Sequence, residues 1–249
     1  MKSFLISITI ILLNQSCSAQ SKPVAEKFQP FALVELFTSE GCSSCPPADD
    51  LLKKLKTEAT KTNAQVYFVA YHVDYWNKLG WKDPFSKYQF TLIQQNYLGV
   101  LDEKDMYTPQ MIVNGQYSFT GSNESKAKDA IDRALKFNAL VNVSVRKDSL
   151  ANDTLYVSYQ SSVAESDFSI KVLLLESDLK STVTAGENKG KTLLHDNVCR
   201  AYQSKSLSNK TGQVKISVKN IIFNKNFSLV AFVQQKGSLK VLGICAGKL

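Results

Sequence analysis

The chain has 249 residues and carries 30 basic against 22 acidic side chains, for a formal net charge of +8. This length suffices for one large or two modest domains, each with a proper core. The excess lysines are scattered and form no basic run with interleaved aromatic residues, which argues against a nucleic-acid partner and favours an ordinary solvated surface.

The N-terminal segment has the layout of a secretory leader. Lys2 precedes an apolar run from Phe4 to Leu13, and Ser16-Cys17-Ser18-Ala19 follows it. We therefore exclude residues 1–20 from the fold and expect an exported protein, periplasmic or anchored at the outer membrane of a bacterium. Cleavage after Ala19 removes Cys17, whereas cleavage before Cys17 leaves that cysteine as a lipidation site. A lipid on Cys17 is the only membrane attachment we expect. No apolar run is long enough for a permanent membrane span.

The first half of the remaining chain predicts alternating strands and helices. A short apolar strand spans Phe31 to Phe37, and a helix with one apolar face follows from Ala48 to Lys61. A second strand covers Gln65 to Val73. Asp83-Pro84 has the form of a helix start, for a helix that extends to about Gly99.

A hairpin and a third helix complete this half. Met111 to Val113 and Tyr117 to Phe119 flank Asn114-Gly115, a dipeptide that favours the left-handed backbone of a tight turn. Ser122 is placed to cap a helix that ends near Asn138. The predicted order is βαβαββα, which we assign to a domain of residues 28–139.

Beyond Leu140 the helical period gives way to alternating apolar and polar residues. This alternation predicts an all-β, sandwich-like domain over residues 140–249. The predicted strands of this half are Val141 to Val145, Leu155 to Tyr159, Ile170 to Leu175, Val214 to Val218, Phe227 to Val233 and Leu239 to Ile244.

A pair of cysteines marks the junction between the first strand and the first helix, in Gly41-Cys42-Ser43-Ser44-Cys45-Pro46-Pro47. Two cysteines separated by two residues can close a small disulfide, and a helix N-terminus beneath the first would stabilise its thiolate. Pro47 cannot join a helix already begun at Cys42 without losing a backbone hydrogen bond. If the helix starts nearer Cys45, its dipole acts less directly on Cys42.

The CxxC, the βαβαββα order and Thr108-Pro109 before the third strand together resemble the thioredoxin fold. Longer motifs resemble a secreted, thioredoxin-like bacterial family catalogued only as a domain of unknown function. They are ELFTSEGCSSCPPAD from Glu35, HVDYW from His72, GWKDPF from Gly80 and YTPQ from Tyr107. The resemblance implies that the bond before Pro109 is cis, and that Pro109 and the Thr108 backbone help hold a thiol partner against the dithiol. It implies no established substrate.

The leading prediction is an exported thiol-disulfide oxidoreductase that acts, without cofactor or metal, on a protein or small molecule bearing a thiol or disulfide. Cys42 is the exposed nucleophile and Cys45 resolves the mixed disulfide. Glu35 lies on the first strand, near where thioredoxins keep a buried acid. It either relays a proton from Cys45 or, equally, faces solvent or pairs with a lysine.

Further candidates lie near the end of the second strand. His72 and Asp74 either tune Cys42 or serve the structure, the role favoured for the histidine. Trp76 belongs with Tyr75 and Trp81 to an aromatic cluster for which packing is the favoured role.

The β-rich half holds two more cysteines and a long polar segment. For Cys199 and Cys245 a structural disulfide is the first expectation, and two independent buried thiols are the alternative. Gly186 to Arg200, which contains His195-Asp196-Asn197, is predicted as a polar connection. We place it over Cys42 as a hypothesis, since long loops are often functional.

Two other functions remain open on the sequence. Cys42, Cys45 and His72 suit a soft metal such as Cu(I), whereas no second cysteine pair completes a closed zinc site. Alternatively, the dithiol is a structural disulfide of an adhesive or scaffolding surface protein, in which case it resists reduction.

Overall fold

The computed structural model describes residues 28–249, so the predicted leader and Cys17 lie outside the described residues. Within that range the fold is mixed α/β, with few helices and a large sheet. The α-helices there are Pro46–Thr62 (α1), Tyr88–Val100 (α2) and Glu124–Ala134 (α3). None of these helices is long and apolar enough to cross a membrane.

Strands make up most of the remaining regular structure. Those of the first half are Ala32–Thr38 (β1), Val66–His72 (β2), Gln110–Val113 (β3) and Tyr117–Thr120 (β4). Those of the second half are Val143–Ala151 (β5), Thr154–Ser161 (β6), Glu165–Glu176 (β7), Leu179–Thr182 (β8), Thr192–His195 (β9), Val198–Leu207 (β10), Thr211–Ser217 (β11), Phe227–Gln235 (β12) and Val241–Gly247 (β13).

One eight-stranded sheet runs through both halves of the chain, in the order β13-β12-β7-β10-β2-β1-β3-β4. Strands β1 and β2 are parallel, while β3 and β4 are antiparallel neighbours on the other side of β1. Strand β10 joins the halves by pairing parallel to β2 at Val198 and Ala70. The division near residue 140 into two domains stays a prediction, and strands from both sides of it share this sheet.

The first half has the predicted element order, but the helix bounds differ. Helix α1 begins at Pro46 rather than Ala48, and α3 ends at Ala134 rather than near Asn138. Helix α2 begins at Tyr88 rather than at Asp83-Pro84, because the Asp83 carboxylate accepts the backbone N–H of Phe85 in a separate turn, at 2.8 Å. Helix α3 is capped by Asn123 rather than Ser122, since the Asn123 side chain accepts the backbone N–H of residue 126 at 3.0 Å.

The β-rich half forms two packed sheets. Strands β5, β6 and β11 make a three-stranded sheet whose apolar side lies against β7, β10, β12 and β13, with Leu155, Val172 and Ala231 in the shared core. Three strands, β8, β9 and β10, were not predicted. Strands β8 and β9 pair only with each other, and β10 alternates many polar residues, so none has a strong apolar pattern.

Strand β1 lies between two hydrophobic cores, and all of its residues are buried. Val34 and Leu36 point into the core under α1 and α3, with Ala48 and Leu52. Residues 33 and 37 point to the opposite face, into the core that includes Tyr97 of α2. Because side chains alternate along a strand, neighbouring β1 residues serve different cores.

The expected disulfide between Cys199 and Cys245 is wrong, since both cysteines are free. Cys199 lies on β10 and Cys245 on β13, and strands β7 and β12 separate them in the sheet. Three strand spacings amount to about 14 Å, beyond the Cα separation that a disulfide bridges. The alternative of two independent thiols is the one observed.

Candidate functional site

The two cysteines of the CxxC form a disulfide at the N-terminus of α1. Their Cα atoms are 5.4 Å apart. Cys45 is the N-cap residue, and Pro46 and Pro47 open the helix. The helix start is therefore displaced to the second cysteine, and Cys42 lies in the preceding turn, where its carbonyl accepts the backbone N–H of Cys45 at 3.2 Å.

The loop before β3 lies directly against this disulfide. The Thr108–Pro109 peptide bond is cis, as the resemblance implied. The carbonyl oxygen of Thr108 is 3.7 Å from the Cys42 sulfur and accepts the Ser44 hydroxyl at 3.4 Å. The indole N–H of Trp76 donates to the Thr108 hydroxyl at 2.8 Å, which fixes the loop from the other side.

The prediction of an exposed Cys42 is wrong, because its exposed fraction is 0%. The start of the predicted 186–200 connection, in the segment between β8 and β9, lies against the dithiol loop, as hypothesised. The prediction of a connection over the whole range is wrong, since β9 and the first residues of β10 fall within it. The Asn188 amide donates to the carbonyls of Glu40 and Cys42, both at 2.9 Å. The Glu187 carboxylate accepts the backbone N–H of Ser43, also at 2.9 Å.

Glu35 is buried, but it does not face the dithiol. It lies between Val34 and Leu36, whose side chains point toward α1, so its own points to the opposite face. There the Tyr97 hydroxyl donates to its Oε2 at 2.6 Å. Side chains of neighbouring strand residues point to opposite sides of the sheet, so the Glu35 carboxyl group lies on the side away from Cys45. This position excludes the predicted proton relay to Cys45.

Burial sets the charge state of Glu35. It raises the pKa of this carboxyl group, and the hydrogen bond from Tyr97 and the charge of Lys171 offset only part of that increase. The Oε1 atom has no hydrogen-bond partner among the described residues. Glu35 is thus an acid that the core holds toward its neutral form.

A second group of buried acids surrounds both histidines of the chain, on the side of the dithiol loop. His72 Nδ1 is 2.7 Å from Asp83 Oδ2, and His195 Nε2 is 3.0 Å from Glu40 Oε1. His195 Nδ1 is 3.9 Å from Asp49 Oδ1. The imidazole rings are edge to face, with centroids 4.8 Å apart.

The charges of this histidine cluster, defined as Glu40, Asp49, His72, Asp83 and His195, depend on one another. Burial alone would lower the pKa of His195, but the nearby Asp49 carboxylate and the hydrogen-bonded Glu40 carboxylate raise it to about 10. Burial alone would raise the pKa of Asp83, and the charge and hydrogen bond of His72 bring it below its usual value. The neighbouring carboxylates therefore favour the charged form of His195, and His72 favours the charged form of Asp83.

The other candidates near β2 have structural partners. Asp74 Oδ1 accepts the Thr91 hydroxyl at 2.6 Å, which ties the end of β2 to α2. The indole N–H of Trp81 donates to Glu40 Oε2 at 2.8 Å. Trp76 contacts the dithiol region through Thr108, whereas Asp74 makes no hydrogen bond to it among the described residues.

Several residues around the dithiol loop could not be predicted as site residues from a local sequence motif. Glu40, Asp49 and Asp83 lie inside the quoted motifs, yet nothing in their spacing shows that they converge on one point. Asn188 and His195 come about 150 residues after the cysteines in the chain, and only the fold brings them there. The polar His195-Asp196-Asn197 run was the available signal for one of them.

Comparisons with known proteins give a family but no activity. A family model described as "Protein of unknown function (DUF1223)" matches residues 33–234. The X-ray crystal structure of protein AGR_C_4864 from Agrobacterium tumefaciens is similar to this chain, with a TM-score of 0.62 and 26% identity over 89% of this chain and 95% of that one. No curated protein matches the chain.

A second solved structure resembles a smaller part of the chain. It is a domain of the outer membrane lipoprotein Omp28 from Porphyromonas gingivalis, with a TM-score of 0.28 and 16% identity over 45% of this chain and 88% of that one. A likeness this low supports no functional inference.

Proposed function

The chain belongs to the DUF1223 family of proteins of unknown function, and we propose that this member is an exported thiol-disulfide oxidoreductase that acts through Cys42 and Cys45. The observation that carries the proposal is the position of the disulfide, between the first turn of α1 and the Thr108–Pro109 loop. The Cys42 sulfur thereby adjoins a backbone segment that can hold a partner chain.

The arrangement of elements supports a thioredoxin-like first half. The order of strands and helices is βαβαββα, the dithiol follows β1, and a cis proline precedes β3. Each feature alone is common in unrelated folds. Their combination around one disulfide favours a redox role over a purely structural one.

The proposed reaction is an exchange that needs no further oxidant or reductant. A partner thiolate attacks the Cys42 sulfur, the Cys42–Cys45 bond breaks, and Cys45 leaves as a thiolate that takes up a proton. A second partner thiol then attacks the mixed disulfide, which oxidises the partner and leaves the dithiol reduced. The same steps in reverse reduce a partner disulfide.

The burial of Cys42 adds a requirement to this mechanism. Asn188 and Glu187 hold the covering segment to the backbone of the dithiol loop by three hydrogen bonds. A partner reaches the sulfur only when this segment moves aside. Ser43 and Ser44 are exposed beside it and mark the side of approach.

Export fits this chemistry, because disulfides persist outside the cytosol. The proposal therefore places the protein in the periplasm or at the outer membrane, with a partner that carries thiols or a disulfide. The leader-like segment that supports export lies in residues 1–20 of the sequence.

A redox titration of the mature protein with thiol trapping tests the proposal. We expect a single transition in which Cys42 and Cys45 change state together, and we expect Cys45→Ser to accumulate reducible mixed disulfides through Cys42. Cys245→Ser is the matched control, because burial raises the pKa of that thiol to about 11 and it takes no part in the exchange. A pair that stays oxidised in the folded protein at strongly reducing potentials would contradict the proposal.

One observation favours a second candidate, a structural disulfide in a surface protein. Cys42 and Cys45 are both fully buried, as stabilising disulfides often are. In that case reduction would require unfolding, and the rate of reduction would equal the rate of global unfolding. The copper-binding alternative gains no comparable support, because the two sulfurs are bonded to each other.

A further inference from the structure

We propose that Asp49, His72 and His195 form a site for one divalent transition-metal ion of the zinc type, next to the dithiol loop. The proposal goes beyond the redox function and does not depend on it. One ligand atom from each of the three residues lies within 4.8 Å of the other two, and all three residues are buried.

The free nitrogens of the histidines support the site. His72 Nε2 and His195 Nδ1 are buried and have no hydrogen-bond partner among the described residues. The exposed fraction of His72 is 0%, so solvent does not satisfy its nitrogen. When unprotonated, each of these buried nitrogens has a lone pair that no donor in the described residues occupies, which is what a metal ion binds.

The opposite nitrogens explain why these lone pairs point inward. Asp83 and Glu40 are carboxylates that only accept hydrogen bonds when ionised, so their partners His72 Nδ1 and His195 Nε2 carry the protons. A metal ion binds the second nitrogen in place of any proton that it carries. A carboxylate on the far nitrogen of each metal-binding histidine is the usual arrangement around protein metal sites.

The third ligand is oriented in the same way. The Thr38 hydroxyl donates to Asp49 Oδ2 at 3.0 Å, which leaves Oδ1 directed toward His195. The separation of 3.9 Å between Asp49 Oδ1 and His195 Nδ1 is close to what binding needs. Ligand atoms of a tetrahedral zinc ion lie about 3.3 Å apart, so small side-chain rotations would close the site.

The ligand set indicates the class of ion. Two imidazoles and one carboxylate suit zinc and related divalent metals, whereas magnesium and calcium prefer oxygen ligands and Cu(I) prefers thiolates. A divalent cation would also offset the negative charge of Glu40, Asp49 and Asp83. Three protein ligands leave a fourth position of the tetrahedron for water.

The site would connect three parts of the fold around the dithiol. Asp49 belongs to the first turn of α1 and donates its backbone N–H to the Cys45 carbonyl at 3.2 Å. His72 ends β2, and His195 ends β9 of the hairpin that covers Cys42. A bound ion would therefore hold the covering hairpin to the dithiol loop.

The test uses the full mature chain with its disulfide oxidised, stripped of metal by a chelator and then titrated with Co²⁺ and Zn²⁺. We expect one ion per chain, a Co²⁺ absorption spectrum of a tetrahedral site with nitrogen and oxygen ligands, and a higher melting temperature in Zn²⁺. Sulfur-to-cobalt charge transfer should be absent, and the double variant Cys42→Ser/Cys45→Ser should still bind.

Three equivalent substitutions locate the site. Asp49→Asn should lose binding by at least 100-fold, and Asp83→Asn should weaken it by about 10–100-fold, the usual effect of removing a hydrogen-bond partner of a ligand. Asp74→Asn is the matched control and should bind as the unchanged protein does, since its carboxylate bonds Thr91 instead.

Three results would overturn the proposal. The first is a wild-type chain, folded by circular dichroism, that takes up neither ion in stoichiometric amount, which would leave the histidines only as partners of the acids. The second is unchanged binding by a folded Asp49→Asn variant, and the third is a cobalt spectrum with thiolate bands. None of these results bears on the redox titration, because the disulfide of the wild-type chain stays oxidised throughout this test.

Discussion

The two sides of strand β1 bury acids in different ways. On the side of α2, Glu35 has a hydrogen bond from Tyr97, and its pKa is raised by burial. On the side of the dithiol loop, Glu40 and Asp83 each meet a histidine at hydrogen-bonding distance. The first acid is held toward its neutral form, whereas His72 lowers the pKa of Asp83 in the second group.

The comparison shows which of the two buried polar groups, Glu35 or the histidine cluster, offers atoms that can bind a ligand. Glu35 contributes one unpartnered acceptor oxygen in an otherwise aromatic and aliphatic core. The histidine cluster contributes two unpartnered nitrogens beside an oriented carboxylate, next to a disulfide. Burial of a carboxylate alone is thus a poor indicator of a functional site. The groups around the carboxylate decide whether it can take part in binding.

The largest expected effect comes from removing a positive partner. His195→Ala should destabilise the protein by about 3–5 kcal/mol, because Glu40 and Asp49 would remain buried without their partner. Denaturant unfolding of the metal-free protein measures this, with Leu194→Ala as control, since that neighbouring side chain on β9 is 51% exposed. A loss below about 1 kcal/mol would mean that the acids are not paired as described.

A smaller effect should follow from loosening the covering hairpin. Asn188→Ala removes the donor to two buried carbonyls and should destabilise the protein by about 2 kcal/mol, at 1 kcal/mol for each bond. It should also make reduction of the disulfide by dithiothreitol several-fold faster. Glu187→Gln, which keeps an acceptor for Ser43, should change that rate less. Equal rates for Asn188→Ala and the unchanged protein would show that the hairpin does not control access.

On the other side of β1, losing one buried hydroxyl group should have a modest effect. Tyr97→Phe removes the hydroxyl that donates to Glu35 and accepts from the Gln234 amide at 2.8 Å. We expect a loss of about 1–2 kcal/mol in unfolding free energy and no change in the rate of disulfide reduction. A change in that rate would show that the two sides of the sheet are coupled.

The smallest predicted effect has the opposite sign. Glu35→Gln should stabilise the protein by about 1 kcal/mol at neutral pH, because a neutral amide replaces an acid whose pKa is raised by burial. The stabilisation that Glu35 provides is complete below its unfolded pKa and is lost as pH rises through its higher folded pKa. The advantage of the variant should therefore grow with pH over that window, in unfolding experiments at a series of pH values.

This variant also tests the distance of Glu35 from the dithiol. Its reduction potential should equal that of the unchanged protein, because Glu35 faces away from α1. A shifted potential would contradict that placement and favour the proton relay.

Local sequence patterns were sufficient to predict the secondary-structure elements whose apolar or turn pattern is strong. Asn114-Gly115 predicted the hairpin, and both residues have positive φ angles, 50° and 70°. The alternation after Leu140 predicted six strands, whereas β8 and β9 pair only with each other and show no such alternation. Sequence patterns identify elements that bury one whole face and miss those that do not.

The site depended on information that no local pattern holds. The face to which Glu35 points depends on one residue of register, and the separation of Cys199 from Cys245 depends on strand order. The burial of Cys42 depends on Asn188, which is 146 positions away in the chain. These are long-range contacts, so the sequence could name the cysteines without showing what covers them.

The dithiol and the residues that cover it are far apart in the chain, so they are synthesised at different times. Chains emerge from the ribosome N-terminus first, at about 5–20 residues per second, so Cys42 and Cys45 are made before Asn188 and His195. If the protein is exported as proposed, the two thiols would reach the new compartment, with its oxidants, before the residues that cover them. The disulfide would then form on an open first half of the protein and be enclosed by the half that arrives later.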